Sequence, residues 1–424
     1  MIICDQISSP QKNAPIIMKA TEILHKDIAN AYPEIHKTRL NTLFTFVRSG
    51  LCDQRVTVTY LGRGLKSLSK TDKKHDIKRA DRLIGSTNLH QERFCFYVHM
   101  TESLVGRQQH PLIIVDWSPI NGDQIFQMLR ASISMGGRAL TLYEKEYLES
   151  ELNSKAAHQH LLDHLEKCLP TDCQPIIVSD AIFRTPWFKA IENKGWYWLR
   201  RVRGNITLST DLEAWHSCKS WFKRATDKAV HVENIYYGKI VRFKCQGVLF
   251  RGKNKGRKKL NKRGGQSQCT TVKYQQQKAK EPWLLIFKLP KAFADKPQKV
   301  VFLYKQRMQI EESFRDTKHA RFGISLTLTL TLTFANSRSA ERFDNLLLIA
   351  ALMLFILWCI GYVVSALKGD SALQANTEKK RRVLSYIYLG REVIDDPRYE
   401  PDELSIVYVY SQLSLLTIHI DNLG

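Results

Sequence analysis

Residues 18 to about 105 read as a succession of short helices. From Pro111 the pattern changes to apolar, β-type runs at 112 to 116, 130 to 135 and 139 to 143. A helix near 151 to 168, a strand at 175 to 179, a short helix and a strand at 196 to 202 follow. Strands interleaved with helices predict an α/β domain with both faces of its sheet covered. Between Gly204 and about Glu281 the chain turns irregular and polar, with β-type pieces inside 234 to 250. Strand character returns from Trp283 to Leu289 and again near 299 to 303, just before a charged helix.

From Leu346 to Leu367 the chain is almost wholly apolar, long enough to span a bilayer. A helix apolar on all faces is equally the central helix of a large domain, packed between a sheet and other helices. The N-terminus lacks the basic start, apolar run and cleavage site of a secretory signal. Met18 begins a helix-like stretch, so residues 1–17 are expected to be a disordered extension outside the fold.

Charge changes the picture more than composition does. Lys and Arg outnumber Asp and Glu by 64 to 41, a net +23, which points to a polyanionic partner: nucleic acid first, an anionic membrane second. Lys66, Lys70, Lys73, Lys74, Lys78, Arg79 and Arg82 crowd one helical segment, as a phosphate-contacting surface would. A second basic run, from Arg251 to Arg263 among glycines, reads as a DNA-tracking loop or as a solvated one. The nine cysteines are scattered without a Cys-x2-Cys pair, which suggests neither a disulfide framework nor a zinc ribbon and fits a reducing cytosol.

Asp116 and Asp180 each follow an apolar strand and so stand where α/β folds place their ligands. Tyr304, Arg307, Glu311 and Lys318 are spaced three, four and seven apart, and on one helix they project along a single stripe. A carboxylate flanked by two cations and a phenol is chemistry for holding a nucleic-acid backbone against a metal. His160, His164 and Cys168, with Cys173 nearby, make a zinc site conceivable, although the run also reads as a plain amphipathic helix. No phosphate-binding Gly-x4-Gly-Lys-Ser/Thr loop, Gly-x-Ser-x-Gly elbow or His-Glu-x2-His motif is present, which weakens ATP-driven, acyl-transfer and zinc-protease readings.

The pattern Tyr-x2-Arg-x3-Glu-x6-Lys resembles the signature of the bacterial insertion-sequence transposases of family four. Further landmarks are Ile-Ile-Val-Asp-Trp-Ser (113 to 118), Val-Ser-Asp-Ala (178 to 181), Lys-Glu-Pro-Trp (280 to 283) and Ser-Ala-Glu-Arg-Phe-Asp (339 to 344). They resemble the branch that includes the transposase of the composite tetracycline-resistance transposon. The resemblance implies an RNase H-like α/β catalytic core interrupted by a β-rich insertion, with a helical N-terminal DNA-binding region. The expected divisions are 18–105 for DNA binding, 106–203 and 282–367 for the core, 204–281 for the insertion, and 368–424 as a C-terminal helical region. It also favours burial of the apolar helix over a membrane.

In the family's pattern Asp116, Asp180 and Glu311 are the catalytic carboxylates, holding two Mg²⁺ ions for which Mn²⁺ may substitute. Tyr304, Arg307 and Lys318 would grip phosphates, and Trp283 would stack on a flipped base while a DNA hairpin forms. Arg201 and Arg203 are candidates for contacts to the same distorted DNA. The implied partners are double-stranded DNA, as terminal inverted repeats and target, and a second copy in a synaptic complex, in the bacterial cytoplasm near the nucleoid. A metal-dependent nuclease or resolvase on the same fold, and a membrane-anchored DNA-binding protein, are the alternative readings.

The chain departs from that pattern in three places. Ile182 stands where the family has glycine, at a position suited to close approach or positive φ, and Phe188 stands for tyrosine. Leu-Thr repeats four times from Leu326 to Thr333, an uncharged β-type expansion expected to handicap this copy.

Overall fold

The computed structural model describes residues 15–418 apart from 66–70, 121–124, 253–268, 271, 273–280, 319–339, 368–369, 375–381, 395, 397 and 400–402. The Leu326–Thr333 repeat, most of the basic run after Arg251 and nearly all of the 1–17 extension lie outside the described residues. The chain forms two units, one from Met1–Gln108, Asp116–Cys173 and Gln309–Ile418, the other from Gln109–Val115, Gln174–Met308 and His419–Gly424.

The first unit opens with the helices α1 (Pro15–Ala31), α2 (Lys37–Asp53), α3 (Val58–Arg63), α4 (Lys73–Ile84) and α5 (Thr87–Val105). Two of their starts, those of α3 and α5, are marked by capping side chains. Thr57 and Ser86 accept the backbone N–H groups of Tyr60 and Leu89, each satisfying a donor that the first turn leaves open. Strand β1 (Leu112–Pro119) gives its last residues to this unit, followed by the antiparallel pair β2 (Phe126–Ser134) and β3 (Ala139–Leu148), then α6 (Lys155–Cys168).

Strand β1 gives its first residues to the second unit, where it runs parallel to β4 (Ile176–Ser179), and β4 runs parallel to β5 (Tyr197–Val202). Helix α7 (Thr185–Asn193) connects them. Beyond β5 the sheet continues antiparallel through β10 (Trp283–Lys288), β9 (Phe243–Phe250), β8 (Val230–Tyr237), β6 (Thr207–Ser209) and β7 (His216–Ser217). The strands between Gly204 and Glu281 therefore extend this sheet through β10.

Two expectations fail near the signature. Residues 299 to 303, read as a strand, lie within helix α8 (Pro297–Lys305). A short apolar run is ambiguous between the two periods, and Pro297 at the first helical turn decides it by fixing φ where an amide donor is dispensable. Nor do Tyr304 and Lys318 share a helix. Backbone bonds from Gln306 to Leu303 and from Arg307 to Tyr304 tighten and end α8, and α9 (Met308–Lys318) starts afresh in the first unit.

The apolar run forms α10 (Ala340–Ala366), whose most apolar stretch is 94% buried. It packs against α2, α5, β3, α11 (Tyr386–Val393) and α12 (Glu403–Leu416), all in the first unit. Glycine makes the closest of these approaches feasible: a Cβ on Gly361 would overlap the Tyr386 carbonyl, and one on Gly390 would overlap that of Leu357. A core helix of this kind meets every criterion of hydropathy for a membrane span, and it is burial inside the protein that separates the two.

Candidate active site

In the first unit the acids stand on β1 and α9. Asp116 is buried, and its Oδ1 accepts the Trp117 backbone N–H at 2.9 Å. Glu311 is exposed in the first turn of α9, and Lys318 is its last residue. The Lys318 ammonium donates to Ser118 Oγ at 2.6 Å and to the Pro119 carbonyl at 2.9 Å. Strand alternation puts Ser118 on the same face of β1 as Asp116, so the end of α9 is pinned beside that aspartate. Burial pushes the Lys318 amine down to about 8, with the Arg130 charge adding to the effect.

Helix α9 is held by a buried polar network. Arg130, on β2, donates from Nε to Glu144 at 2.7 Å and from Nη1 to Ser313 at 3.3 Å and Thr317 at 3.2 Å. Its guanidinium also lies 5.1 Å from the Phe314 ring centroid. Gln309 Oε1 accepts the amides of Met135 and Gly137, both at 3.2 Å, and Arg138 pairs with Asp316 at 2.5 Å. Each bond lies on the inner side of α9 and leaves Glu311 facing outward.

In the second unit Asp180 is half-buried at the end of β4, and its Oδ1 accepts the Ile182 amide at 2.7 Å. Ile182 is not among the residues with positive φ, and its side chain is 38% exposed, so isoleucine is accommodated here without backbone strain. Tyr304 is buried, and burial raises its phenol pKa; Arg307 and Arg201 oppose the shift, while the Asp180 carboxylate adds to it. The Trp283 ring meets Tyr304 edge-on at 5.2 Å, and the Arg201 guanidinium stands over its face at 5.8 Å. Arg201 donates to the carbonyls of Glu281 at 3.1 Å and Pro282 at 3.2 Å; burial pushes its pKa down to about 10, still charged at neutral pH. Arg203 is exposed.

Residues 107–352 match the family described as Transposase DDE domain. The chain belongs to this family. No curated protein matches it. The match covers Asp116, Asp180, Glu311 and the whole stretch from Trp283 to Lys318, with helices α1 to α5 preceding it. The chain is thus a DNA transposase of the DDE class, a group of nucleases and transferases that act on DNA with divalent metal ions. Hard carboxylate oxygens are the donors that such ions prefer. Among the described residues no three His, Cys, Asp or Glu side chains form a group placed to hold a metal. His160 and His164 instead stack ring on ring at 3.9 Å, with His164 also on Tyr143 at 4.9 Å, as an apolar helix face would arrange them.

One residue of this DDE transposase escaped the sequence reading. Arg200, fully buried on β5 opposite Ser179, donates from Nη1 to the Phe183 carbonyl at 2.8 Å and to the Tyr237 hydroxyl at 3.2 Å. From Nη2 it donates to the Ala181 carbonyl at 3.3 Å, and the rings of Phe188 and Tyr237 lie 5.0 and 5.1 Å from its guanidinium. It therefore fixes the backbone immediately after Asp180. A signal was available: strand alternation in Leu-Arg-Arg-Val-Arg sends Arg200 to the face opposite Arg201, and a sheet covered on both faces must bury it.

Proposed function

We propose that the chain is the transposase of an insertion sequence, of the kind its Tyr-Arg-Glu-Lys signature and tetracycline-transposon landmarks resemble, and that it works by cut-and-paste. The observation that carries this reading is the family match over residues 107–352, which takes in Asp116 after Val115 in β1, Asp180 directly after β4, and Glu311. Glu311 is the third acid, on a helix braced by Arg130 and pinned beside Asp116 through Lys318 and Ser118. These three carboxylates would hold two Mg²⁺ ions, or Mn²⁺ in their place. Bound there, such a pair of ions supplies activation of the attacking oxygen and stabilisation of the leaving one.

The chain's own residues do the rest. Lys318, Arg307 and the Tyr304 hydroxyl grip the phosphates beside the cleaved bond, and Arg201 and Arg203 hold the distorted strand. Trp283 stacks on a flipped base, repaying an unstacking cost of a few kcal/mol. A water nicks the transposon end, the freed 3′-hydroxyl attacks the opposite strand to form a hairpin, a second water opens it, and the same hydroxyl then attacks target DNA. The helical N-terminal region binds the terminal repeats; Lys73, Lys74, Lys78 and Arg82 are exposed on α4 while Ala80, Leu83 and Ile84 are buried, so the cations form the outer face. Two copies pair the two ends. Asp116→Asn, Asp180→Asn and Glu311→Gln are each expected to reduce nicking of an end-containing duplex by at least about a thousandfold, on the order of a lost electrostatic stabiliser of the transition state, with DNA affinity retained. Wild-type nicking by any of the three removes that residue from the site.

A further inference from the structure

Strands β8 and β9 pair up to Tyr237 and Phe243, leaving Gly238–Arg242 as the tip of a hairpin. The turn closes with the Arg242 amide on the Gly238 carbonyl at 2.7 Å, and both ends are left-handed, Gly238 at φ 77 and Arg242 at φ 48. That closure throws the middle outward. Ile240 is 96% exposed and Val241 48%, and among the described residues no other large apolar side chain is as exposed as Ile240. Leaving an aliphatic side chain in water forgoes about 25 cal/mol per Å² of burial. Exposed cations surround it: Lys239, Arg242 and Lys244.

An aliphatic point inside a basic collar fits a partner with an anionic rim and an apolar interior. Duplex DNA has that construction, with phosphates lining a groove whose floor is stacked bases. Charge complementarity selects it over a second copy of this chain, which at +23 would bring the same cations to the contact. We infer that Ile240 is a wedge that enters the minor groove and unstacks a base step, with Lys239 and Arg242 on the flanking phosphates. The base of the hairpin adds a link to the chemistry: Tyr237, the last paired residue of β8, accepts from Arg200, which also holds the carbonyls of Ala181 and Phe183 after Asp180. DNA bent over the tip is thereby tied to the loop that carries a catalytic acid. The inference rests on the transposase reading for its partner, and goes beyond it in naming the wedge.

The test uses the full chain and a duplex carrying 2-aminopurine at successive positions, with affinity measured across a salt series. Wild type is expected to raise the fluorescence at one step, Ile240→Ser to abolish that rise with affinity changed less than about threefold, and Ile240→Phe to keep it. Lys239→Ala with Arg242→Ala is expected to lower the salt slope by about 2. Unstacking by Ile240→Ser equal to wild type overturns the wedge while leaving the transposase reading intact. Failure of wild type to bind duplex DNA overturns both. Loss of self-association in Ile240→Ser without any change in DNA distortion overturns the wedge in favour of a contact between copies.

Discussion

Glu146, on β3, is a buried carboxylate with neither oxygen hydrogen-bonded among the described residues. Burial, reinforced by the Asp344 carboxylate, pushes its pKa up to about 8. The folded state therefore holds a proton there that the unfolded chain releases near pH 4.5. The resulting contribution to stability is complete below about pH 4.5 and is lost as pH rises through about 8. Glu146→Gln keeps the neutral shape, so it should match wild type in melting at pH 4.5 and exceed it by about 1–4 kcal/mol at pH 8.5. Equal melting at both values would mean that the group ionises normally. Arg200→Gln tests another buried charge: with Ala181 and Phe183 released, the Mg²⁺ concentration for half-maximal nicking should rise at least about tenfold while duplex affinity holds, and a Lys at the site should restore part of it. An unchanged metal requirement would reduce Arg200 to packing. The places of Asp116 in β1 and Asp180 directly after β4 were legible in the sequence because an acid after an apolar run has a positional meaning. Glu146 was not, because what defines it comes from Asp344, elsewhere in the chain; for Arg200 alternation could signal burial but not its partners Phe183 and Tyr237.

At the scale of elements, periodicity marked most strands by their apolar runs and the helices between 18 and 105 by their pattern. It misread 299 to 303, where the four apolar residues after Lys299 satisfy either period and only Pro297 speaks for the helix. It also joined Tyr304 to Lys318, since side-chain spacing carries no mark of the turn at Gln306 and Arg307. Hydropathy left α10 open between membrane and core, and the contacts that bury it depend on distant residues such as Gly390. That crossing can be tested. Gly361→Ala places a methyl on the Tyr386 carbonyl, backbone that cannot swing aside, and should cost about 2–3 kcal/mol of stability, read as a lower denaturation midpoint at unchanged slope. A neutral result would show that α10 and α11 do not meet there.

For the whole molecule, the excess of cations, the α/β alternation and the signature already pointed to a DNA-processing enzyme, and the family match across residues 107–352 agrees with that reading. What separates a transposase from a nuclease of the same class is whether the freed end is joined, since both would use the same acids to cut. A strand-transfer reaction with a pre-cleaved transposon end and a plasmid target isolates that step. The expected result is covalently joined product from the wild-type chain with Mg²⁺, and none from Asp116→Asn although that variant still binds the end. Efficient cutting of an uncleaved end with no joined product from the pre-cleaved one would contradict the transposase reading and leave a metal-dependent nuclease in its place.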